Sequence, residues 1–334
     1  MEKNVIIIAE AGVNHNGSVE LACQLIDAAA AAGADYVKFQ TFKAENLVTR
    51  TVGAAEYQKR NCKADSQFDM LKKLELRFDQ FTYLAAYCRE RNIGFLSTPF
   101  DQESTLFLAS LGMDFMKVPS GEITNLPYLR QIASTGIPPI ISTGMSSLTD
   151  VEKALEVFLK SGFKRDDIIL LHCTTQYPTP FRDVNLKAMQ TLREAFKTPV
   201  GYSDHTRGIE IPLAAVAMGA KVIEKHFTLD RDMEGPDHKA SLNPEELSEM
   251  VTSVRHIEMA LGNGIKEIAP SERENMTAAR KSIVAACQIK KGEVFTEKNL
   301  TVKRPGNGIS PMLWDSIVGL KATRDFNSDE LIIL

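Results

Sequence analysis

Two stretches of like design decide the fold: Pro199-Val-Gly-Tyr-Ser-Asp-His-Thr206 and Val222-Ile-Glu-Lys-His-Phe-Thr228. Each opens on an apolar β-type run and closes on a histidine, His205 in one and His226 in the other. Between them, Ile209 to Met218 carries an apolar helical pattern. Strand, helix and strand in that order make a βαβ unit. Its two histidines then fall at the same end of neighbouring parallel strands. Two imidazoles so placed suit one divalent metal in an open site. The alternative is two separate histidines, each hydrogen-bonded near a strand end.

The same rhythm extends back to the N-terminus. Candidate strands are Val5–Ile8, Tyr36–Phe39, Gly94–Ser97, Phe115–Val118, Pro139–Ser142, Ile168–His172, Val200–Ser203 and Val222–Lys225. Helical runs between them end in Gly33, Gly112, Gly136, Gly162 and Gly219, residues that readily take the left-handed conformation that stops a helix. Thr149-Asp-Val-Glu152 has capping-box spacing, and Asn243-Pro-Glu-Glu246 offers an N-cap followed by proline. Eight such units in roughly 260 residues predict a (β/α)8 TIM barrel. An open doubly wound sheet is the alternative, but the glycine-rich dinucleotide loop usual there is missing.

The stretch 41–77 breaks the rhythm. It is polar, holds Arg50, Tyr57, Lys59, Arg60, Lys63 and Asp65, and reads as a long loop over the barrel mouth or as an insertion. Residues 1–262 form the predicted barrel, 263–278 a linker rich in Gly, Asn, Pro and Ser, and 279–334 a small unit with strands Ser282–Ala286 and Leu300–Lys303. A unit that small supports only a marginal core and is expected to lean on another surface.

Bulk properties exclude several classes. Thirty-nine basic and 43 acidic residues leave a net charge of −4, which argues against nucleic-acid or membrane-surface binding. Five scattered cysteines without a Cys-x-x-Cys pair fit a reducing cytoplasm rather than a disulfide framework or a structural zinc. The apolar run at Val5 is too short for a signal peptide, and none approaches membrane-spanning length, so a cytoplasmic protein is expected.

Barrel active sites lie at the C-terminal ends of the strands. Those ends carry Glu10 with Asn14-His-Asn-Gly17, then Lys38 and Gln40, Thr98, Lys117 with Ser120 and Glu122, Ser142, Tyr177, Ser203 with His205, and Lys225 with His226; Asp237 follows downstream. Lys38 and Gln40 share a face by two-residue alternation. Hydroxyls, glycines and inward lysines together suit a phosphate or carboxylate ligand. The competing reading pairs Lys38 and Lys117 structurally with Glu10 or Glu122. His172 and Cys173 are sequence neighbours on one strand, so they point to opposite faces and make no dyad; Cys173 reads as buried and inert.

Taken together, Ala9-Glu-Ala-Gly-Val-Asn-His-Asn-Gly17, Val37-Lys-Phe-Gln-Thr41, Ser97-Thr-Pro-Phe100, Lys117-Val-Pro-Ser-Gly-Glu122, Ser142-Thr-Gly-Met145, Gly201-Tyr-Ser-Asp-His-Thr206, Glu224-Lys-His-Phe-Thr228 and Lys303-Arg-Pro-Gly-Asn-Gly308 resemble the bacterial sialic acid (nonulosonic acid) synthases. The resemblance runs through both units. It implies a barrel followed by a C-terminal antifreeze-like (SAF) domain, in a homodimer whose small domain reaches the partner's barrel. It implies condensation of phosphoenolpyruvate with an N-acetylmannosamine-type sugar, releasing phosphate, with Mn2+ (or Mg2+ or Co2+). By the same resemblance, Lys38, Thr98, Lys117, Ser120, Ser142 and Ser203 bind phosphoenolpyruvate, and His205 and His226 bind the metal. Glu10, Gln40, Tyr177 and Asp237 contact the sugar, Arg304 contacts its acyl group from the partner subunit, and Glu10 manages protons. The run Thr174-Thr-Gln-Tyr177 is similar to legionaminic acid synthases, which leaves N-acetylmannosamine and 2,4-diacetamido-2,4,6-trideoxymannose both open. Residue chemistry alone also allows a class I aldolase with Lys117 or Lys225 as Schiff base, or a non-catalytic sugar-phosphate sensor.

Overall fold

The computed structural model describes residues 5–49 and 66–334. The chain divides into two compact units, Met1–Gly262 and Asn263–Leu334. In the first, eight parallel strands follow one another: β1 (Ile6–Gly12), β2 (Tyr36–Thr41), β3 (Gly94–Pro99), β4 (Met116–Val118), β5 (Pro139–Ser142), β6 (Ile169–Cys173), β7 (Val200–Asp204) and β8 (Val222–His226). Ladders join them in the order β3-β2-β1-β8-β7-β6-β5-β4, and β3 lies beside β4, which closes the ring. This is the expected (β/α)8 barrel. Strands β2, β3, β6, β7 and β8 run one or two residues further toward their C-terminal ends than hydropathy suggests, and β1 runs four. Many of those residues are polar, among them Glu10, Thr98, Asp204 and His226, and they stay in the ladder because the barrel buries them.

Helix boundaries follow from capping chemistry. Ser18, Asp101 and Asn125 each accept a backbone N–H in the first turn of helices Val19–Ala31, Gln102–Ser110 and Leu126–Ser134. The helix after β5 starts earlier than Thr149 suggests. Ser147 is its N-cap and makes a capping box with Asp150, one turn that serves better because Leu148 is already helical. Asn243 caps Pro244–Leu261 as expected, with proline at the first helical position, and also makes a capping box with Glu246. The five glycines that end helices before strands all have positive φ, from 71° to 97°. The core is the layer between strands and helices, where outward-facing strand residues such as Val37, Phe39, Ile141, Leu170 and Ile223 share one buried cluster with Leu25, Leu84, Ile132, Leu155 and Leu192.

The described part of 41–77 is not a plain loop. Ala44–Leu47 and Gln67–Leu74 are helical, and Met70 and Leu74 pack with Val13 and Phe42 beside the end of β1. The amphipathic spacing of Phe68, Met70, Leu71 and Leu74 explains that helix. Arg50, Tyr57, Lys59, Arg60, Lys63 and Asp65 lie outside the described residues.

The second unit has its own core of Ile283, Ile289, Phe295, Leu300, Ile317, Phe326 and Ile332 around antiparallel strands β9 (Ser282–Ala285) and β10 (Leu300–Lys303). The segment read as a linker carries a helix, Arg273–Ala279.

Strands β7 and β8 approach closely at Gly201. A methyl group there would lie 2.3 Å from the Val222 carbonyl oxygen and 2.7 Å from Leu171. Gly201→Ala must therefore push the two strands apart. It is expected to lower stability by about 1–3 kcal/mol, checked by guanidinium unfolding of both proteins. Unchanged unfolding would show that the contact relaxes freely.

Candidate active site

Alternation along each strand sends every second side chain into the barrel. At the C-terminal mouth these side chains line a cavity of about 200 Å³, bounded by Glu10, Lys38, Gln40, Thr98, Lys117, Ser120, Ser142, Cys173, Thr175, Tyr177, Ser203, His205, Glu224 and His226. A larger space of about 780 Å³ lies outside the ring, between helices Leu148–Lys160 and Lys187–Phe196. Only the smaller one gathers buried charge, so the chemistry belongs there.

Its floor is a chain of ion pairs. Lys38 Nζ lies 2.6 Å from Glu10 and 3.6 Å from Glu224, and donates to Thr98 Oγ1 at 3.0 Å. Lys117 Nζ is 3.3 Å from the other oxygen of Glu224, which also accepts the Ser203 hydroxyl at 2.9 Å. All four charged groups are buried. Lys117 thus pairs with Glu224; Glu122, the partner allowed from sequence, is half-buried and accepts a hydrogen bond from Asn125. Burial pushes Glu10 up to about 7 against the pull of Lys38. Burial would raise Glu224 too, but Lys117 and Lys38 outweigh it and hold that carboxylate at about 2. Glu10 is therefore the carboxylate able to exchange a proton near neutrality. Ser142 adds a buried hydroxyl with no hydrogen-bond partner, and Ser120 accepts the Gly144 N–H while touching Cys173.

Across the cavity, the rings of His205 and His226 lie 5.6 Å apart, with Tyr177 4.1 Å from His205 and 5.7 Å from His226. The carbonyl of Thr174 lies 2.5 Å from His205 Nδ1. A carbonyl only accepts, so Nδ1 carries the proton and Nε2 keeps its lone pair. Burial lowers His205, and burial together with His205 lowers His226 well below the usual range, so both rings are neutral at pH 7. His226 Nδ1 is a buried nitrogen without a partner. Among the described residues no cluster of three or more His, Cys, Asp and Glu is arranged for a metal. These residues fit a divalent ion held by two neutral imidazoles with its other positions left to ligand and water. Gly12, at φ +53°, lets the backbone pass here: a side chain would meet Glu10, Gln40 and His226 at 3.3–3.5 Å.

Twelve sequence-derived residues sit in the barrel unit, and eleven of them line this cavity. Asp237 does not; it is buried in the segment after β8, where its carbonyl accepts the Ser241 hydroxyl. Arg304 belongs to the second unit and donates from Nε to the Ala279 carbonyl. Lys225 faces away from the cavity and is buried against Asp204, which removes it as a Schiff-base lysine. His172 points outward onto Tyr202 and the Val184 carbonyl, whereas Cys173 lines the cavity with its thiol pushed up by burial. Sequence reasoning missed Glu224. Its signal was available: it stands two residues before His226 and so shares its face.

What this mouth offers is cationic and donor-rich on one side and imidazole on the other. That defines a barrel enzyme whose substrates carry carboxylate or phosphate groups. The chain belongs to the NeuB family, whose model matches residues 25–266, and a SAF domain matches residues 280–333. It is 56% identical to the N,N'-diacetyllegionaminic acid synthase of Campylobacter jejuni over 99% of both chains. It is 47% identical to the enzyme of the same name from Legionella pneumophila, over 98% of this chain and 93% of that one. Among solved structures, the N-acetylneuraminic acid synthetase of Leptospira borgpetersenii, in complex with citrate, superposes with a TM-score of 0.72 at 39% identity, covering 82% of this chain and 90% of that one. No helix among the described residues is long and apolar enough to cross a membrane.

Burial alone raises the Asp237 carboxyl to about 6. Its unfolded value is about 3.9, so folding takes up a proton between the two, and stability falls as pH rises through that window. Asp237→Asn should therefore gain on the wild type across that range, reaching about 3 kcal/mol above it. Guanidinium unfolding of both proteins on either side of the window checks this; a difference constant with pH contradicts it.

Proposed function

We propose that this enzyme condenses phosphoenolpyruvate with an N-acylated mannosamine-type sugar and water, giving a nine-carbon nonulosonic acid and phosphate. One observation carries the reading: two buried lysines and the strand-end hydroxyls face two neutral imidazoles across a single cavity. The sugar is 2,4-diacetamido-2,4,6-trideoxymannose rather than N-acetylmannosamine. The two legionaminic acid synthases that resemble the chain over nearly its full length support this, as does Thr174-Thr-Gln-Tyr177.

In this mechanism Lys38, Lys117, Thr98, Ser120, Ser142 and Ser203 hold the carboxylate and phosphate of phosphoenolpyruvate. Gln40 and Tyr177, which line the cavity, orient the sugar so that its aldehyde carbon meets the methylene carbon of phosphoenolpyruvate; the structure does not bring Asp237, the other sugar contact of the resemblance, to this cavity. His205 and His226 hold a divalent ion, Mn2+ ahead of Mg2+ or Co2+, whose chemistry when bound is to polarise the aldehyde oxygen. The lysines and Glu224 balance charge while positive character develops at the neighbouring carbon, the one that bears the phosphate. Water adds at that carbon and phosphate leaves from the adduct. Glu10, near 7, holds and returns the proton that these steps move.

Release of phosphate from phosphoenolpyruvate, measured with each of the two sugars, tests the reading. Faster release with the diacetamido sugar is expected; release with neither overturns the function. In the same assay His205→Ala and His226→Ala should abolish turnover while phosphoenolpyruvate still binds. Glu10→Gln should slow turnover by ~100-fold or more and alter its pH profile.

The protein works as a homodimer in this reading, with Arg304 of one subunit serving its partner's sugar site. The small core of the second unit supports it. Sedimentation at micromolar concentration should show a dimer; a monomer ends this part of the proposal.

A further inference from the structure

Behind the two histidines lies a second charged group that the reaction does not use. Lys225 is fully buried, and so is its cross-strand partner Asp204. Lys225 Nζ lies 2.5 Å from Asp204 Oδ2 and 2.5 Å from the Thr206 carbonyl oxygen. Asp204 also accepts the Thr206 N–H at 3.0 Å and the Thr206 hydroxyl at 2.9 Å. These four bonds close a ring around the turn Asp204-His205-Thr206. His205 is its middle residue, and Lys225 directly precedes His226.

A buried ion pair is poor evidence of stabilisation, because apolar side chains of similar volume do as well or better. What this pair adds is direction. It ties both ends of the His205 turn to the one residue that precedes His226, on the strand face opposite the cavity. The His205 ring is fixed separately by the Thr174 carbonyl. We infer that Asp204, Lys225 and Thr206 are positioning residues that set the spacing of the two imidazoles. This rests on the reading of His205 and His226 as metal ligands.

The test uses the full-length protein with Mn2+ as probe, its binding followed by the resonance of the free ion, together with steady-state kinetics and thermal unfolding. Lys225→Met alone strands the Asp204 carboxylate and should destabilise strongly. The double variant Asp204→Asn, Lys225→Met removes both charges. It should unfold within a few degrees of wild type, bind Mn2+ ~10- to 100-fold more weakly and lose kcat, with KM for phosphoenolpyruvate unchanged. Thr206→Val removes one hydroxyl and leaves the ion pair, so it should weaken Mn2+ in the same direction by less; it decides the matter if the double variant does not fold. Wild-type Mn2+ affinity in the folded double variant, or in Thr206→Val when that variant decides, overturns the inference while leaving the metal reading intact. A wild type that binds Mn2+ no better than His205→Ala overturns the metal reading and this inference with it.

Discussion

The site depends on one arrangement: Lys38 and Lys117 buried with Glu10 and Glu224 in a space closed by the barrel. No lysine stays charged at such depth without an opposing charge within a few ångströms. Glu224 does most of this, since it touches both lysines and also the Ser203 hydroxyl. Because Glu224 is held ionised, Glu10 is left as the group whose charge can change at low cost. In the proposed reaction an incoming anion meets Lys38 and Lys117 already oriented, and Glu10 gives up its claim on Lys38 by taking a proton. In that proposal, anion binding and proton storage share the same few atoms.

The barrel makes this arrangement possible and the strand pairs make it specific. Ser203 lies opposite Glu224 and Asp204 opposite Lys225 in the β7–β8 register. The first pair faces the cavity and the second faces the helices. Gly201 sits where the Val222 carbonyl leaves no room for a side chain, and so keeps the two strands at the distance that both pairs need.

Most of the fold was legible because its signals are local. Short apolar runs, helix-ending glycines and capping residues each act over a few positions, and all eight strands follow from them. The candidate site was legible as far as strand ends reveal it, which is why eleven residues came together in one cavity. What sequence alone missed depends on three-dimensional pairing. Glu224 gains its role only where two lysines from distant strands meet it. Lys225 looked like a candidate nucleophile until its partner on β7 was seen. Asp237 lies on a segment of bends and short turns, where alternation no longer tells which way a side chain points. Thr149 and Ser147 both offer a cap, and the choice between them depends on where Leu148 begins the helix.

The alternation on β7 and β8 has a further consequence for how this protein can change over time. Each strand carries reactive groups at one parity and structural charge at the other. Adding or deleting one residue within either would exchange the two sets, turning Lys225 inward and His226 out against the helices. Length variation in such a lineage is therefore confined to the connections beyond the strand ends. New substrate preferences must come from replacing side chains or reshaping loops, with the length of these two strands held constant.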